Sequence, residues 1–251
     1  MIKGVYVLVA VRLKSSRLPR KALCDLSGAP VIARLMERMR LATTPEDIVV
    51  CTSTHPEDTP LADEAGRQGW SCHRGHELDV IGRFLDYVVP RNANTIVRVT
   101  GDNPLTDPKM LDHMVQVHRA KGMEYTYTED LPRGTRCEVI DVAALQRCHQ
   151  LAQNPDASEY MTLMIRRPDR FRVHPVETPW SATRRPELRL TLDTPEDYEV
   201  LSAIYKAYSG TPPDLEQVIT WLDEHPAVRE LNAHIAPYEL DASINTRLQG
   251  D

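Results

Sequence analysis

The chain opens on an unbroken apolar run, Val5–Val11, which predicts a strand buried on both faces of a parallel sheet. A helix is predicted to begin near Pro30, because proline tolerates the first helical position. Val31, Ile32, Leu35, Met36 and Met39 then recur at the spacing of one helical face. Asp47–Ser53 reads as a second strand, followed by a helix ending near Gly69. Asn94–Thr100 reads as another strand. Pro108 opens a helix carrying Leu111, Met114, Val115 and His118 on one side, with Gly122 at its C-terminus. This alternation predicts an α/β fold, a mostly parallel sheet covered by helices.

The second half is less regular. Glu124–Thr128 and Cys137–Val142 read as strands on either side of a Pro132-Arg133-Gly134 turn. Ser158–Arg167 reads as a helix, Phe171–Val176 and Leu188–Leu192 as further strands, and Pro195–Tyr208 as a helix. Asp214–Ile235 reads as an amphipathic helix covering the core, and the tail beyond Pro237 carries no readable signal. No repeat, low-complexity tract or long linker divides the chain. Its 251 residues therefore read as a single domain, 1–251, closed by C-terminal helices within 211–251.

Composition narrows the function. Hydrophobic residues make up 41% and charged residues 26%, ordinary for a globular protein. The net charge of −6 and the lack of a basic, aromatic-rich stripe exclude nucleic acid as the expected partner. Any phosphate chemistry must use a local basic cluster. The five cysteines, Cys24, Cys51, Cys72, Cys137 and Cys148, include no C-x-x-C pair, which predicts reduced thiols. Val5–Val11 is too short for a signal-peptide core, and cations follow it where a cleavage site would be. No other stretch approaches a membrane span. A cytoplasmic protein without a membrane partner is expected. Cys72, His73 and His76 match no standard zinc spacing. Trp70, Trp180 and Trp221 read as packing residues.

Three segments carry candidate chemistry. The first is Val9-Ala-Val-Arg-Leu-Lys-Ser-Ser-Arg-Leu-Pro-Arg-Lys21, with five cations in ten residues. Charge alone fits a solvated loop equally well. Its place directly after a buried strand favours phosphate binding, since ligands lie beyond the C-terminal ends of parallel strands. Ser15 and Ser16 add hydroxyls. Neither a Walker A loop nor a dinucleotide fingerprint is present. The second is Arg98-Val-Thr-Gly-Asp102-Asn-Pro-Leu105. Gly101 is expected to let the backbone turn sharply, leaving Asp102 at the same sheet edge as a hard ligand for Mg²⁺. A plain turn is the competing reading. The third is Leu190-Thr-Leu-Asp193-Thr-Pro-Glu-Asp197. Thr194 and Asp197 form a capping box with Pro195 at the first helical position, which leaves Asp193 unexplained. Asp102 and Asp193 together are suited to one or two Mg²⁺ ions.

In order and register, these three segments resemble the signatures of the CMP-sugar synthetases. That superfamily includes the Kdo and acylneuraminate cytidylyltransferases, and the nearest branch is the one named after spore-coat polysaccharide biosynthesis. Arg74-Gly and Asp79-Val-Ile-Gly-Arg83 also match a family segment near the nucleotide, and Glu138 and Ser158-Glu-Tyr-Met-Thr162 match more loosely. The resemblance implies a Rossmann-like, mostly parallel sheet of the nucleotide-diphospho-sugar transferase type. It implies a protruding dimerisation arm, placed within about 124–190, and hence a homodimer. It implies Arg12, Lys21, Asp102 and Asp193 as catalytic residues, with Asp102 and Asp193 on magnesium. Ala10, Val11, Arg12, Ser15, Ser16, Arg17, Lys21, Arg74, Asp79, Arg83 and Asp102 would bind the nucleotide, CTP. Arg133, Arg136 and Glu138 would bind the acceptor.

The chain also departs from the family. Relatives usually carry glycine at Lys14 and Arg20, an aspartate at Arg136, and often a histidine at Tyr160. The added positive charge predicts an acceptor with an anionic group beyond that of a simple sugar acid. The expected activity is transfer of CMP from CTP to an acidic sugar or related anionic acceptor, releasing pyrophosphate. A nucleotidyltransferase of other base specificity, a glycosyltransferase on the same fold and a non-catalytic nucleotide-binding homologue are the rivals. Intact Lys21, Asp102 and Asp193 weigh against the last.

Overall fold

The computed structural model describes residues 1–15, 17–209, 214–236 and 244–251. Ser16 lies outside the described residues. The strands are β1 (Val5–Ala10), β2 (Asp47–Ser53), β3 (Ser71–Gly75), β4 (Thr95–Thr100), β5 (Tyr125–Tyr127), β6 (Glu138–Asp141) and β7 (Val173–Pro175). They form one sheet in the order β3-β2-β1-β4-β6-β5-β7. β1 pairs in parallel with β2 and β4, and β2 with β3. Only β6 runs against its neighbours, antiparallel to both β4 and β5.

Helices cover both faces. They are α1 (Val31–Met39), α2 (Thr59–Gln68), α3 (Val80–Val88), α4 (Pro108–Lys121), α5 (Val142–Leu151), α6 (Met161–Ile165), α7 (Pro195–Ala207), α8 (Leu215–Glu224) and α9 (Pro226–Arg229). Strand alternation divides the core in two. Val5, Val7 and Val9 of β1 pack with α1, α2, α4, α7 and α8. Tyr6 and Leu8 pack on the other face with α3, α5 and α6. Phe84 of α3 is fully buried there, and its loss to alanine is expected to cost ~3–5 kcal/mol.

β1, β2, β4, α1, α2 and α4 stand where the hydrophobic pattern puts them, with Gly69 and Gly122 as left-handed C-caps. Three elements escape that pattern: β3, α3 and α5. Three expectations are corrected. Leu188–Leu192 is buried but is not a strand. It makes a single bridge, Arg133 with Arg189, and its backbone bonds go to the turn at Arg133 and to Asp102. Asp214–Ile235 is not one helix, because Pro226, which has no N–H to donate, begins α9 after a break at His225. Ser158–Arg167 is also divided, a 3₁₀ segment Pro155–Tyr160 leading into the short α6.

The 124–190 stretch supplies β5, β6 and β7 to the sheet. Tyr125, Val139, Ile140 and Met161 are fully buried in the two cores. Much of the stretch is therefore body of the fold rather than an arm standing off it. The last residues return to the body: Leu248 bridges Ala152, and Arg167 pairs with Asp251 at 2.8 Å.

Candidate active site

After β3 at the sheet edge the chain returns to β4, on the far side of β1. The β1–β4 boundary is thus the point where strand order reverses, the place where a crevice opens beyond the C-terminal strand ends. A cavity of about 370 Å³ lies there. Its floor is the end of β1 (Ala10, Val11) and of β4 (Thr100, Gly101, Asp102), and its wall includes Arg12, Ser15, Arg17, Lys21, Arg83 and Asp193. Gly101 serves close approach rather than a turn requiring positive φ. A Cβ there would meet the Val11 side chain at 2.5 Å, and Gly101 N–H donates to the Ala10 carbonyl at 2.8 Å.

Lys21 sits at the centre. Its ammonium lies 2.6 Å from Asp102 Oδ2 and 2.8 Å from Asp193 Oδ1. Burial alone would lower its pKa, but the two carboxylates outweigh burial and raise it. Asp193 shows the converse. Burial alone would raise the carboxyl, but Lys21, Arg17 and Arg189 together hold it below its ordinary value. Arg17 and Arg189 each approach Asp193 at 3.2 Å. Lys21 and Asp193 are therefore both charged at neutral pH.

The placement of Asp193 follows from the sequence around it. Leu192 N–H donates to the Asp102 carbonyl at 2.9 Å, tying the two acid-bearing segments together. Thr194 then caps α7 in a capping box with Asp197. Asp197 is fully buried and also binds Arg189 through two bonds, at 2.7 and 2.8 Å. The capping residue thus anchors the arginine that faces Asp193.

Several candidate residues have other partners. Arg74 does not line the cavity; it donates to the carbonyls of Ser53 and His55 beyond β2. Asp79 is the N-cap of α3, accepting from Gly82 N–H at 2.7 Å, and also binds Ser158 and His149. Arg83 lines the cavity, but its guanidinium donates to the carbonyls of Cys51, His76 and Glu77. It shapes the wall from behind.

Two residues in the cavity wall were not singled out from the sequence. Glu159 pairs with Arg12 at 2.6 Å across the mouth. Arg98 stands between this cavity and a second one of about 260 Å³, and forms a half-buried ion pair with Glu138. Burial alone would raise the Glu138 carboxyl, yet Arg98, Thr162 and Tyr125 bring it below its usual range. Both Glu138 oxygens are already engaged, by Arg98 on one side and by Tyr125 and Thr162 on the other. A signal for Arg98 exists: an arginine inside an apolar strand needs a carboxylate partner. Arg136 lines the second cavity. Arg133 lines neither; burial lowers its pKa, and Arg189, Asp193 and Arg17 are its charged neighbours.

Asp102 and Asp193 offer hard carboxylate oxygens of the kind a divalent ion takes. Among the described residues no group of three or more His, Cys, Asp or Glu side chains forms a ready metal cage. An ion here would complete its shell with phosphate oxygens and water, which is how Mg²⁺ binds at phosphoryl-transfer sites. The residues fit such an ion, provided Lys21 gives way between the two acids.

The comparisons agree with this geometry. The chain matches the family described as cytidylyltransferase over residues 6–243. It is 34% identical to the spore coat polysaccharide biosynthesis protein SpsF of Bacillus subtilis, over 90% of this chain and 96% of that protein. A cytidylyltransferase structure from Leptospira borgpetersenii superposes with a TM-score of 0.84 at 25% identity, over 94% of this chain and 99% of that one. The fold is shared with CMP:2-keto-3-deoxy-manno-octonic acid synthetase, solved with CTP, at a TM-score of 0.63 and 18% identity, over 82% and 100% of the two chains. With a seven-stranded, mostly parallel sheet and a family match spanning nearly its whole length, this chain belongs to the cytidylyltransferase family.

Proposed function

We propose that this enzyme transfers CMP from CTP to an anionic acceptor, with magnesium held by Asp102 and Asp193 and the triphosphate held by Arg12, Arg17 and Lys21. The observation that carries the reading is Lys21 bridging the two acids at the strand-order reversal, with Arg12 and Arg17 beside it. An oxygen of the acceptor attacks the α-phosphorus of CTP. The bond to the β-phosphate breaks, pyrophosphate leaves, and the acceptor's proton is lost to solvent. Such a step depends on positioning and charge neutralisation rather than covalent catalysis.

The residues supply these in turn. Ala10, Val11 and Ser15 line the cavity, while Ser16, also expected at the nucleotide, lies outside the described residues. Arg12 and Arg17 reach phosphate oxygens as planar forks. Lys21 exchanges its bridging position for a phosphate, which frees Asp102 and Asp193. Bound magnesium would neutralise phosphate charge and lower the pKa of the attacking group.

Three further assignments belong to this reading. The chain acts as a single domain. It works in the cytoplasm, in polysaccharide biosynthesis like the spore-coat relative. Its five cysteines are free, and among the described residues no helix is long and apolar enough to cross a membrane. It forms a homodimer through the 124–190 stretch, where Leu163 and Trp180 are exposed. Thermal denaturation with CTP, ATP, GTP or UTP, each with Mg²⁺, tests the donor. CTP should raise the melting temperature most, because ligand bound only to the folded state stabilises it. Equal shifts would remove cytosine selectivity and leave a nucleotidyltransferase of broader choice.

A further inference from the structure

Arg12 is held from two sides at the mouth of the first cavity. Its guanidinium donates to the Glu77 carbonyl at 3.1 Å and pairs with Glu159 at 2.6 Å. Glu77 lies in the loop before α3, and Glu159 in the 155–160 segment. The same two segments are joined a second time, behind the cavity wall. Asp79 Oδ1 accepts from the Ser158 hydroxyl at 3.1 Å, and that hydroxyl accepts from Ile81 N–H at 3.1 Å. Asp79 Oδ2 accepts from His149 Nε2–H, on α5, at 2.7 Å.

Helix capping explains only part of this. Asp79 is the N-cap of α3 and satisfies Gly82 N–H. A cap needs neither a fully buried serine 77 residues along the chain from Ile81 nor a histidine from another helix. Asp79, Ser158 and His149 do not line the cavity. Val80 follows Asp79 in the chain, Glu159 and Tyr160 follow Ser158, and these three do line it. The rear bonds therefore set the separation at which one guanidinium reaches both Glu77 and Glu159. Fixing the carriers of an ion pair raises the effective concentration of each group for the other, which strengthens a contact that would be weak if either swung free.

Resting on the assignment of Arg12 to the triphosphate of CTP, we propose that His149, Asp79 and Ser158 form a positioning relay. It keeps Glu159 on Arg12 and so sets nucleotide affinity from outside the cavity. CTP must take Arg12 from Glu159, and the relay fixes how strongly Glu159 resists. Cutting the relay should make the enzyme bind CTP more tightly while the fold becomes less stable. A role confined to stability gives weaker binding or no change.

The test is a double-mutant cycle on CTP affinity, read by titration calorimetry at low salt with Mg²⁺ and no acceptor. Ser158→Ala and His149→Ala each cut the relay, whereas His149→Gln keeps an amide N–H near the place of Nε2–H. Each substitution is made in the wild type and in Glu159→Gln, and native melting is checked. In the wild-type background, Ser158→Ala and His149→Ala should each lower the CTP Kd by about 2–3-fold, within the range an exposed ion pair allows. In Glu159→Gln the same substitutions should leave the Kd unchanged, because the contact they act through is gone. His149→Gln should stay near the wild type. Weaker or unchanged CTP binding in either folded relay variant overturns the proposal. So does a tightening that persists in Glu159→Gln, since it would not pass through Glu159. If Ser158→Ala does not fold, His149→Ala, at a half-buried position, decides the question alone. Failure of the wild type to bind CTP would instead overturn the cytidylyl-transfer reading, and this proposal with it.

Discussion

Arg12 reaches from the loop after β1 to Glu159 on the 155–160 turn, its guanidinium 2.6 Å from the carboxylate, and so closes one side of the active-site mouth. The pair is asymmetric: the Arg12 side chain is 16% exposed and that of Glu159 is 51% exposed. A pair this open contributes little to stability, about 0–1 kcal/mol. It nevertheless occupies one of the cations that line the cavity, Arg12, which the proposed function assigns to the triphosphate. Glu159→Gln is expected to tighten CTP binding by about 2–5-fold, the range that ~0.4–1 kcal/mol allows, and to leave melting unchanged. Titration calorimetry at low salt reads this directly. Weaker CTP binding in the variant would show that Glu159 assists the nucleotide rather than competing with it.

Asp102 and Asp193 share Lys21 but differ in surroundings. Asp193 also meets Arg17 and Arg189. Asparagine at either place should reduce turnover at least ~100-fold, since metal charge stabilisation is worth several kcal/mol. Stability should separate them. Asp193→Asn strips charge from three cations and should cost ~1.5–3 kcal/mol, whereas Asp102→Asn should cost less. Urea denaturation beside steady-state kinetics distinguishes the two effects. Near-normal turnover in either variant would return that residue to a turn or cap role.

The same charges set the pH response. The Asp193 carboxyl is held below its ordinary value in the folded state. Its contribution is therefore present above the unfolded value and is lost as pH falls below about 4. The Lys21 ammonium is raised, so its contribution is present below about pH 10 and is lost as pH climbs through the folded value. Asp193→Asn should flatten the acid limb of a stability profile. An acid limb of unchanged slope would count against this assignment.

How much of this was legible in the sequence varied with the strength of the local signal. β1, β2 and β4 are apolar runs, and α4 has a proline start and a glycine stop. β3 reads Ser-Cys-His-Arg-Gly because it is an edge strand, bonded only to β2 and half-buried throughout. α5 follows β6 without a break, since Asp141 both ends the strand and caps the helix. Leu188–Leu192 has the composition of a strand but bonds to a turn and to Asp102 instead of a ladder. At the site, Asp102, Asp193 and Lys21 stood out because charged residues follow buried runs. Glu159 did not, because its partner Arg12 lies 147 residues away and no local pattern marks the pair. Arg74 and Asp79 sat in a motif segment, yet their side chains bind backbone and cap a helix.

The buried pair behind Asp193 should govern both stability and activity. Arg189 is 8% exposed and Asp197 fully buried, and Asn232 adds a bond to Asp197 at 2.9 Å. Removing one partner of such a pair costs about 3–5 kcal/mol, because a charge is left uncompensated. Arg189→Met should lose that much stability. The double variant Arg189→Met with Asp197→Leu should recover part of it, though without the capping box. The cycle is read from urea midpoints at constant slope. Additive single losses would show that the two side chains do not act as a pair.

Gly134 ties the turn that carries Arg133 and Arg136 to the segment that leads to Asp193. It lies between Arg133 and Arg136 at a φ of 94°. Backbone bonds on either side join this turn to the Asp193 segment: Arg133 N–H to the Leu188 carbonyl at 2.9 Å, and Leu190 N–H to the Arg133 carbonyl at 2.6 Å. A Cβ at Gly134 would meet Thr191 N at 2.2 Å and the Leu190 carbonyl carbon at 2.4 Å. Those atoms are backbone, so no side chain can swing aside, and the two segments must part. Gly134→Ala therefore combines the left-handed penalty of ~1–2 kcal/mol with an overpacking cost of ~1–3 kcal/mol. Gly122 is the control. Its φ is 62°, but nothing lies within 4 Å of a Cβ there, so Gly122→Ala should bear only the left-handed penalty. Gly134→Ala should exceed that control by ~1–3 kcal/mol in denaturant, and should lower kcat as well, since Asp193 moves with Leu190 and Thr191. Equal losses in the two variants, or a destabilised Gly134→Ala with normal kcat, would break the link between this turn and the placement of Asp193.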